Sequence, residues 1–170
     1  MTLLTQIQNM PEHQFGFSGD SISHFDTRLI ASCTDPVVTS VDLSRVIATT
    51  HPDYAGLTWG DLKPRPDACR NATMKRQQHN LSWLVENPDY YLSLGEKDHW
   101  SFFRLRGQYI IEAGNHRTVY ARFFLAANGL APQLHGVSVS DITLIEQTSG
   151  RQPRISRPRQ TWMSWLLGRQ

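Results

Sequence analysis

The pattern of apolar and polar positions predicts a strand, a loop and a helix in the first half of the chain. Residues 36–46 are rich in β-branched side chains with rough alternation, which indicates a first strand that runs into a turn. Residues 50–71 hold three prolines and two glycines and are predicted to be mostly loop. Residues 72–87 carry apolar side chains at helical intervals, and Pro88 follows as a stop signal, so we expect a helix there.

The second half of the pattern predicts a hairpin, a helix and a strand. Two runs of aromatic and β-branched residues within 99–114 flank Gly107, which is typical of a β-hairpin. Apolar positions at helical spacing predict a second helix over 117–128, and β-branched residues predict a further strand over 135–147. This order of elements predicts a small domain of the α+β class.

Length and composition support one folded domain. The 170 residues suffice for one domain with a core and are too few for two. A hydrophobic fraction of 39% indicates a folded chain rather than a disordered one. We expect an irregular or partly ordered N-terminal segment over residues 1–35, the folded domain over 36–147 and a C-terminal tail over 148–170.

Charge separates the folded domain from the tail. The formal net charge is +2, but no acidic residue follows Glu146. Five arginines lie beyond it, and taking them from 17 basic residues leaves 12 against 15 acidic ones, about −3 for residues 1–146. Three interpretations of the tail stay open: docking on its own domain, contact with a partner protein or an anionic membrane surface, and binding of nucleic acid. The five arginines are Arg151, Arg154, Arg157, Arg159 and Arg169. The apolar patch follows the first four of them and consists of Trp162, Met163, Trp165, Leu166 and Leu167.

The cysteines and histidines do not have the spacing of metal ligands. Cys33 and Cys69 form no CxxC pair and are interpreted as reduced thiols. His51, His79 and His99 are interpreted as surface or partly buried histidines, so no metal site is predicted from them. Since the sequence shows neither a signal peptide nor a membrane span, we expect a cytoplasmic protein, with peripheral contact at a membrane through the tail as an alternative.

A Gly-Asn-His-Arg turn lies where the predicted hairpin ends and the second helix begins. A helix amino terminus presents unpaired N–H groups and a partial positive charge, which favour phosphate. Gly114 allows close approach of a ligand, His116 adds a donor, and Arg117 is suited to a two-pronged phosphate contact. The alternative is a simple chain turn, with Asn115 capping the helix and Arg117 in solvent.

The stretch YIIEAGNHRTVYA resembles the signature turn of the ParB/sulfiredoxin superfamily, and the order of elements over residues 36–147 fits that family. The resemblance implies a ParB/sulfiredoxin-like single domain with a small mixed sheet and packed helices. It also implies that ATP or CTP, with Mg²⁺, is bound by its phosphates at Gly114, Asn115, His116 and Arg117. Its members include partition proteins, nuclease-like proteins and the fertility-inhibition factors with which one conjugative plasmid blocks the transfer of another.

Departures from the family pattern narrow the implied activity. Sulfiredoxins need a cysteine where Asn115 stands, so sulfinic acid reduction is not expected. Nuclease-like members place an acidic residue directly before the glycine, whereas here Ala113 stands there and Glu112 comes one residue earlier. On a regular strand Glu112 faces the other side, unless a bulge turns it. A complete partition protein is not expected, because the 170 residues leave no room for the helical DNA-reading domain.

The resemblance implies a plasmid-associated, nucleotide-binding protein that acts in DNA transfer, with NTP hydrolysis or DNA cleavage as candidate activities. In that case Arg117 stabilises phosphate charge, His116 orients or protonates an oxygen, and Glu112 is the candidate base or metal ligand. Lys75, near the start of the first predicted helix, either reaches the triphosphate or lies on a solvated face.

Two alternatives stay open beside this reading. One is a non-enzymatic adaptor or inhibitor that binds a conjugation or secretion protein through residues 151–170. The other is a DNA-binding regulator whose arginines neutralise phosphates.

Overall fold

The computed structural model describes Ile7, residues 9–64, Trp83, Leu84 and residues 86–146. The strands of the described chain are β1 Ser23–His24, β2 Ile30–Cys33, β3 Val37–Asp42, β4 Val46–Thr49, β5 Ser101–Leu105, β6 Gln108–Ala113 and β7 Gln133–Leu144. The α-helices with described bounds are α1 Trp59–Leu62, α2 Asp89–Leu92 and α3 Asn115–Ala127. Short 3-10 turns lie at Glu12–Gln14, Thr27–Leu29, Leu43–Arg45 and Pro52–Tyr54.

The strands form one mixed sheet in the order β1-β4-β6-β5-β7, with β2 and β3 both on the outer side of β7. β5 and β6 form an antiparallel hairpin, while β4 pairs with β6, and β5 with β7, in parallel. The α+β class predicted from the sequence is therefore confirmed. The parallel pairing of β4 with β6 brings the ends of two strands together, and α3 begins beside them.

The sheet separates a large core from a smaller one. Successive strand residues face opposite sides, so Phe102 packs into the large core while Phe103 packs into the small one. On the large side, α3 supplies Val119, Tyr120 and Phe123, all fully buried. The small core consists of Ala48, Phe103, Ile110 and Ile142. Because α3 is anchored along its length, its first turn is held in place next to the sheet.

The elements predicted for the second half of the chain are present. The predicted hairpin turns at Arg106 and Gly107, which both have a positive φ, of 51° and 78°. The predicted second helix begins two residues earlier than expected, at Asn115, and the last predicted strand is β7. The strand predicted to run into a turn over 36–46 is present as β3, and the 3-10 turn Leu43–Arg45 follows it and leads into β4.

The N-terminal segment contains more regular structure than the sequence pattern indicated. Residues 1–35 were expected to be irregular or partly ordered, and β1 and β2 both lie within them, with Phe15 and Ile22 buried in the large core. The helix predicted over 72–87 lies mostly outside the described residues, although Trp83 and Leu84 are helical. Lys75 and the tail over 148–170 also lie outside them. Within the described chain, no helix is both long and apolar enough to cross a membrane.

Candidate functional site

The turn between β6 and α3 depends on the glycine at its centre. Gly114 has φ 87° and ψ 30°, a left-handed conformation that residues with a Cβ adopt only with strain. A Cβ at this position would also lie 2.6 Å from Cδ1 of Trp100. The Trp100 Nε1–H donates to Thr118 Oγ1 at 2.8 Å, and that hydroxyl donates to the Gly114 carbonyl at 3.0 Å. Trp100 and Thr118 therefore fix the turn from inside the core.

A cavity of about 360 Å³ opens at this turn. Its volume lies in the range of small-molecule sites, roughly 300–1,000 Å³. Gly114 is the N-cap of α3 and makes no side-chain cap hydrogen bond to the first turn of the helix. The lining residues are His51, Tyr54, Glu112, Ala113, Gly114, Asn115, His116 and Arg117. The four residues of the predicted turn are thus brought to one cavity.

A β-bulge brings Glu112 to the same cavity. Ser101 is paired with Ala113 and the next residue, Phe102, with Ile111, so Glu112 is an extra residue in β6. The alternation of a regular strand would have turned its side chain to the other side of the sheet. Glu112 is instead exposed and lines the cavity. The sequence analysis named a bulge as the one way to turn this side chain, and the structure has a bulge at Glu112.

Asn115 is held by a residue that the sequence analysis did not single out. Thr49, fully buried at the end of β4, lies with Oγ1 2.7 Å from Oδ1 of Asn115. Thr49 Oγ1 also accepts the backbone N–H of His51 at 3.0 Å. Asn115 is therefore not a free capping residue. Its amide is fixed across the sheet by a threonine 66 positions earlier in the chain.

His116 contacts a buried tyrosine. The Tyr54 hydroxyl lies 3.0 Å from Nε2 and 3.1 Å from Nδ1 of His116, with the two rings edge to face. Burial raises the pKa of Tyr54 well above its ordinary value, so this hydroxyl stays protonated at neutral pH. The ring of His51 also contacts Tyr54 edge to face, with 5.1 Å between the two ring centroids. His51, expected to be an ordinary surface histidine, is exposed but also lines the cavity.

Arg117 lines the cavity, yet its terminal nitrogens already have acceptors. Nη1 donates to the Asp98 carbonyl at 2.9 Å and to the Tyr90 hydroxyl at 3.1 Å, and Nη2 donates to the His99 carbonyl. The guanidinium also lies 4.9 Å from the ring centroid of Trp100. Of the two interpretations made from the sequence, a phosphate contact or a solvated side chain, neither includes this attachment to the loop before β5.

Among the described residues that line the cavity, Glu112 is the only one with a carboxylate. Mg²⁺ in nucleotide sites is usually held by one or two carboxylates together with the phosphates. Glu112 is thus the described cavity residue that offers a carboxylate of this kind. No group of three or more potential metal ligands is found among the described residues.

Comparison of the chain with protein-family models, with curated proteins and with solved structures finds no match. The interpretation of this site therefore depends on its own geometry and on the short motif at residues 114–117.

Proposed function

We propose that this chain binds ATP or CTP, with Mg²⁺, by its phosphates at the turn between β6 and α3. We further propose a ParB/sulfiredoxin-like fold and a role in plasmid or DNA-transfer biology of the fertility-inhibition kind. Both parts rest on the sequence motif and on the order of the elements that surround the cavity.

The observation that carries the proposal is the uncapped start of α3 at a cavity of about 360 Å³. Helix amino termini favour phosphate because unpaired N–H groups and the helix dipole point at the ligand. Asn115 and His116 add side-chain hydrogen-bonding groups at the same place. A bound triphosphate would meet these groups together, and Glu112 would share the Mg²⁺ that accompanies it.

Calorimetric titration with ATP, with CTP and with inorganic triphosphate tests the binding. We expect at least one of the three to bind, and His116→Ala to weaken it by about tenfold, the effect of one hydrogen bond to a charged ligand. His135→Ala is the matched control, since His135 contacts Ser40 on β3 rather than the cavity. Absence of binding by all three ligands, or an equal loss in the two variants, would contradict the proposal.

Hydrolysis is the proposed activity of the bound complex, with Glu112 as base or Mg²⁺ ligand, His116 orienting a phosphate oxygen and Arg117 near the developing charge. Phosphate release and nicking of supercoiled plasmid DNA measure the two candidate reactions. We expect Glu112→Gln to lower turnover by roughly 10²–10⁴-fold with little change in nucleotide affinity, the range for losing a general base. Glu96→Gln, an exposed carboxylate that does not line the cavity, is the control. Equal turnover in the two variants would rule out this role for Glu112.

A second candidate function is a non-enzymatic adaptor that binds nucleotide without turnover. The contacts of Arg117 favour it, because both terminal nitrogens donate to groups of the protein instead of to the ligand. Binding of nucleotide with no phosphate release and no DNA cleavage would support the adaptor and reject the enzyme.

A further inference from the structure

Thr49 lies between two groups of the site and bonds to both. It is fully buried, with its hydroxyl oxygen 3.0 Å from the backbone nitrogen of His51 and 2.7 Å from Oδ1 of Asn115. The His51 N–H can only donate, so it takes one lone pair of the hydroxyl. The remaining question is which end of the Asn115 amide faces Thr49.

The burial of Thr49 answers this question. A buried hydroxyl proton without an acceptor is unfavourable. In the described chain, the acceptor within reach of this proton is the Asn115 side chain, so the proton points to Oδ1. The Asn115 Nδ2 group is then on the opposite end of the amide, and within the described residues it has no hydrogen-bond partner. Asn115 itself lines the cavity.

We propose that Thr49 sets the polarity of the site by turning the Asn115 amide so that Nδ2 donates to the ligand. Thr49 is thus a positioning residue, and Asn115 provides an uncharged donor of fixed direction. This inference rests on the proposed phosphate binding and deepens it. The site favours ligand oxygens that accept hydrogen bonds, such as ionised phosphate oxygens, over ligand groups that can only donate, such as ammonium groups.

Calorimetry with inorganic triphosphate on the full chain tests the role of Thr49. Thr49→Val keeps the shape but removes the hydroxyl, and we expect about tenfold weaker binding because the amide is free to turn. Thr49→Ser keeps the hydroxyl and is expected to bind within about twofold of the wild-type chain. Asn115→Asp keeps the acceptor for Thr49 but loses the donor, so we expect binding to be lost. The same change adds a negative charge at the start of α3, which is expected to stabilise the helix. Lost binding in Asn115→Asp with undiminished stability separates recognition from folding.

A second readout, by NMR without ligand, keeps the inference independent of the ligand tested. We expect slow solvent exchange for the Thr49 hydroxyl proton and fast exchange for the Asn115 Nδ2 protons, which are identified by their loss in Asn115→Asp. Protected Nδ2 protons would show the reverse orientation and overturn the inference, as would wild-type affinity in Thr49→Val. If the wild-type chain binds no triphosphate while the exchange pattern is as expected, the phosphate part fails and only the amide orientation stands.

Discussion

Arg117 and Arg122 lie five residues apart on α3, and the two regions of the helix use an arginine in opposite ways. At the first turn, the Arg117 guanidinium rests on Trp100, and both terminal nitrogens donate to oxygen atoms. In the middle of the helix, the Arg122 guanidinium lies between Phe17 and Trp59, 4.2 and 4.0 Å from their ring centroids. The same side chain, on the same helix, has hydrogen-bond partners in one region and mainly aromatic faces in the other.

The comparison of Arg117 with Arg122 shows which arginine the fold needs for its hydrogen bonds. Nη1 of Arg122 is buried without a partner in the described chain, and the nearest carboxylate, Asp20, is 3.6 Å from Nη2 and largely exposed. Burial lowers the pKa of Arg122 to about 10, which records the unfavourable removal of its charge from water. Arg117, by contrast, connects the site turn to the loop before β5. Substitutions at the two positions can therefore distinguish an arginine whose hydrogen bonds stabilise the fold from one whose buried charge the fold only accommodates.

Gly114→Ala is expected to give the largest effect, because it disrupts the turn before Arg117 that Trp100 and Thr118 fix. The left-handed backbone costs about 1–2 kcal/mol for a residue with a Cβ, and the contact with Trp100 adds about 1–3 kcal/mol. Urea unfolding should show that the free energy of unfolding falls by the sum of the two contributions. Gly129→Ala is the control, since Gly129 has φ 65° but nothing within 4 Å of an added Cβ, so only the backbone contribution is expected there. Equal losses in the free energy of unfolding at both glycines would mean that the Trp100 side chain moves aside without an energetic penalty.

Arg117→Met and Arg122→Met make the same change in the two regions. At Arg117 the substitution leaves the carbonyls of Asp98 and His99 without their donor, and we expect the free energy of unfolding to fall by about 2–3 kcal/mol. Arg117→Lys should recover about half of this, because an ammonium group cannot match the spacing of two carbonyls as a guanidinium does. Urea unfolding measures both variants. A negligible loss in Arg117→Met would show that these hydrogen bonds exchange freely with water.

The elements that bury one face were predictable from the sequence, whereas the two short strands β1 and β2 were not. The hairpin and α3 carry buried aromatic and aliphatic residues at regular spacing, so their pattern is visible in the sequence. β2 lies at the outer edge of the sheet with three of its four residues exposed, and no alternation marks it. β1 has only two residues, which is too few for a pattern.

The same distinction applies to the candidate site. Residues 114–117 are contiguous, so a local motif could indicate them. His51, Tyr54 and Thr49 come from the end of β4 and the loop after it, which reach α3 only through the parallel pairing of Thr49 with Ile111. Such a pairing is not a property of any short stretch. The acceptors of Arg117 are mostly backbone carbonyls, which have no signature in the amino-acid sequence.

At Arg122, the methionine substitution is expected to leave the free energy of unfolding within about 1 kcal/mol of the wild-type value or to raise it. Replacing a buried charge by an apolar side chain of similar length is often neutral or stabilising, and sulfur packs well against the rings of Phe17 and Trp59. Arg122→Ala, which leaves a cavity between the rings, should instead cost about 2–4 kcal/mol. If urea unfolding shows Arg122→Met to be as unstable as Arg122→Ala, the charge of Arg122 matters after all, and the contrast with Arg117 disappears.

A third arginine, Arg28, is exposed to solvent, and removing its charged partner is expected to have the smallest effect. Its guanidinium and its backbone N–H both donate to Asp26, and these hydrogen bonds lower the pKa of Asp26 to about 2. Because this pKa lies below the ordinary value of 3.8, the pair stabilises the fold above pH 4 and loses that contribution as the pH falls towards 2. Asp26→Asn keeps the shape and the capping oxygen but has no titratable group. We expect the difference in Tm between the wild-type chain and this variant to be small at pH 5 and to shrink further as the pH falls through this window. Asp35→Asn controls for the simple loss of a charge, and a Tm difference that stays constant with pH would show that water screens the Asp26 pair completely.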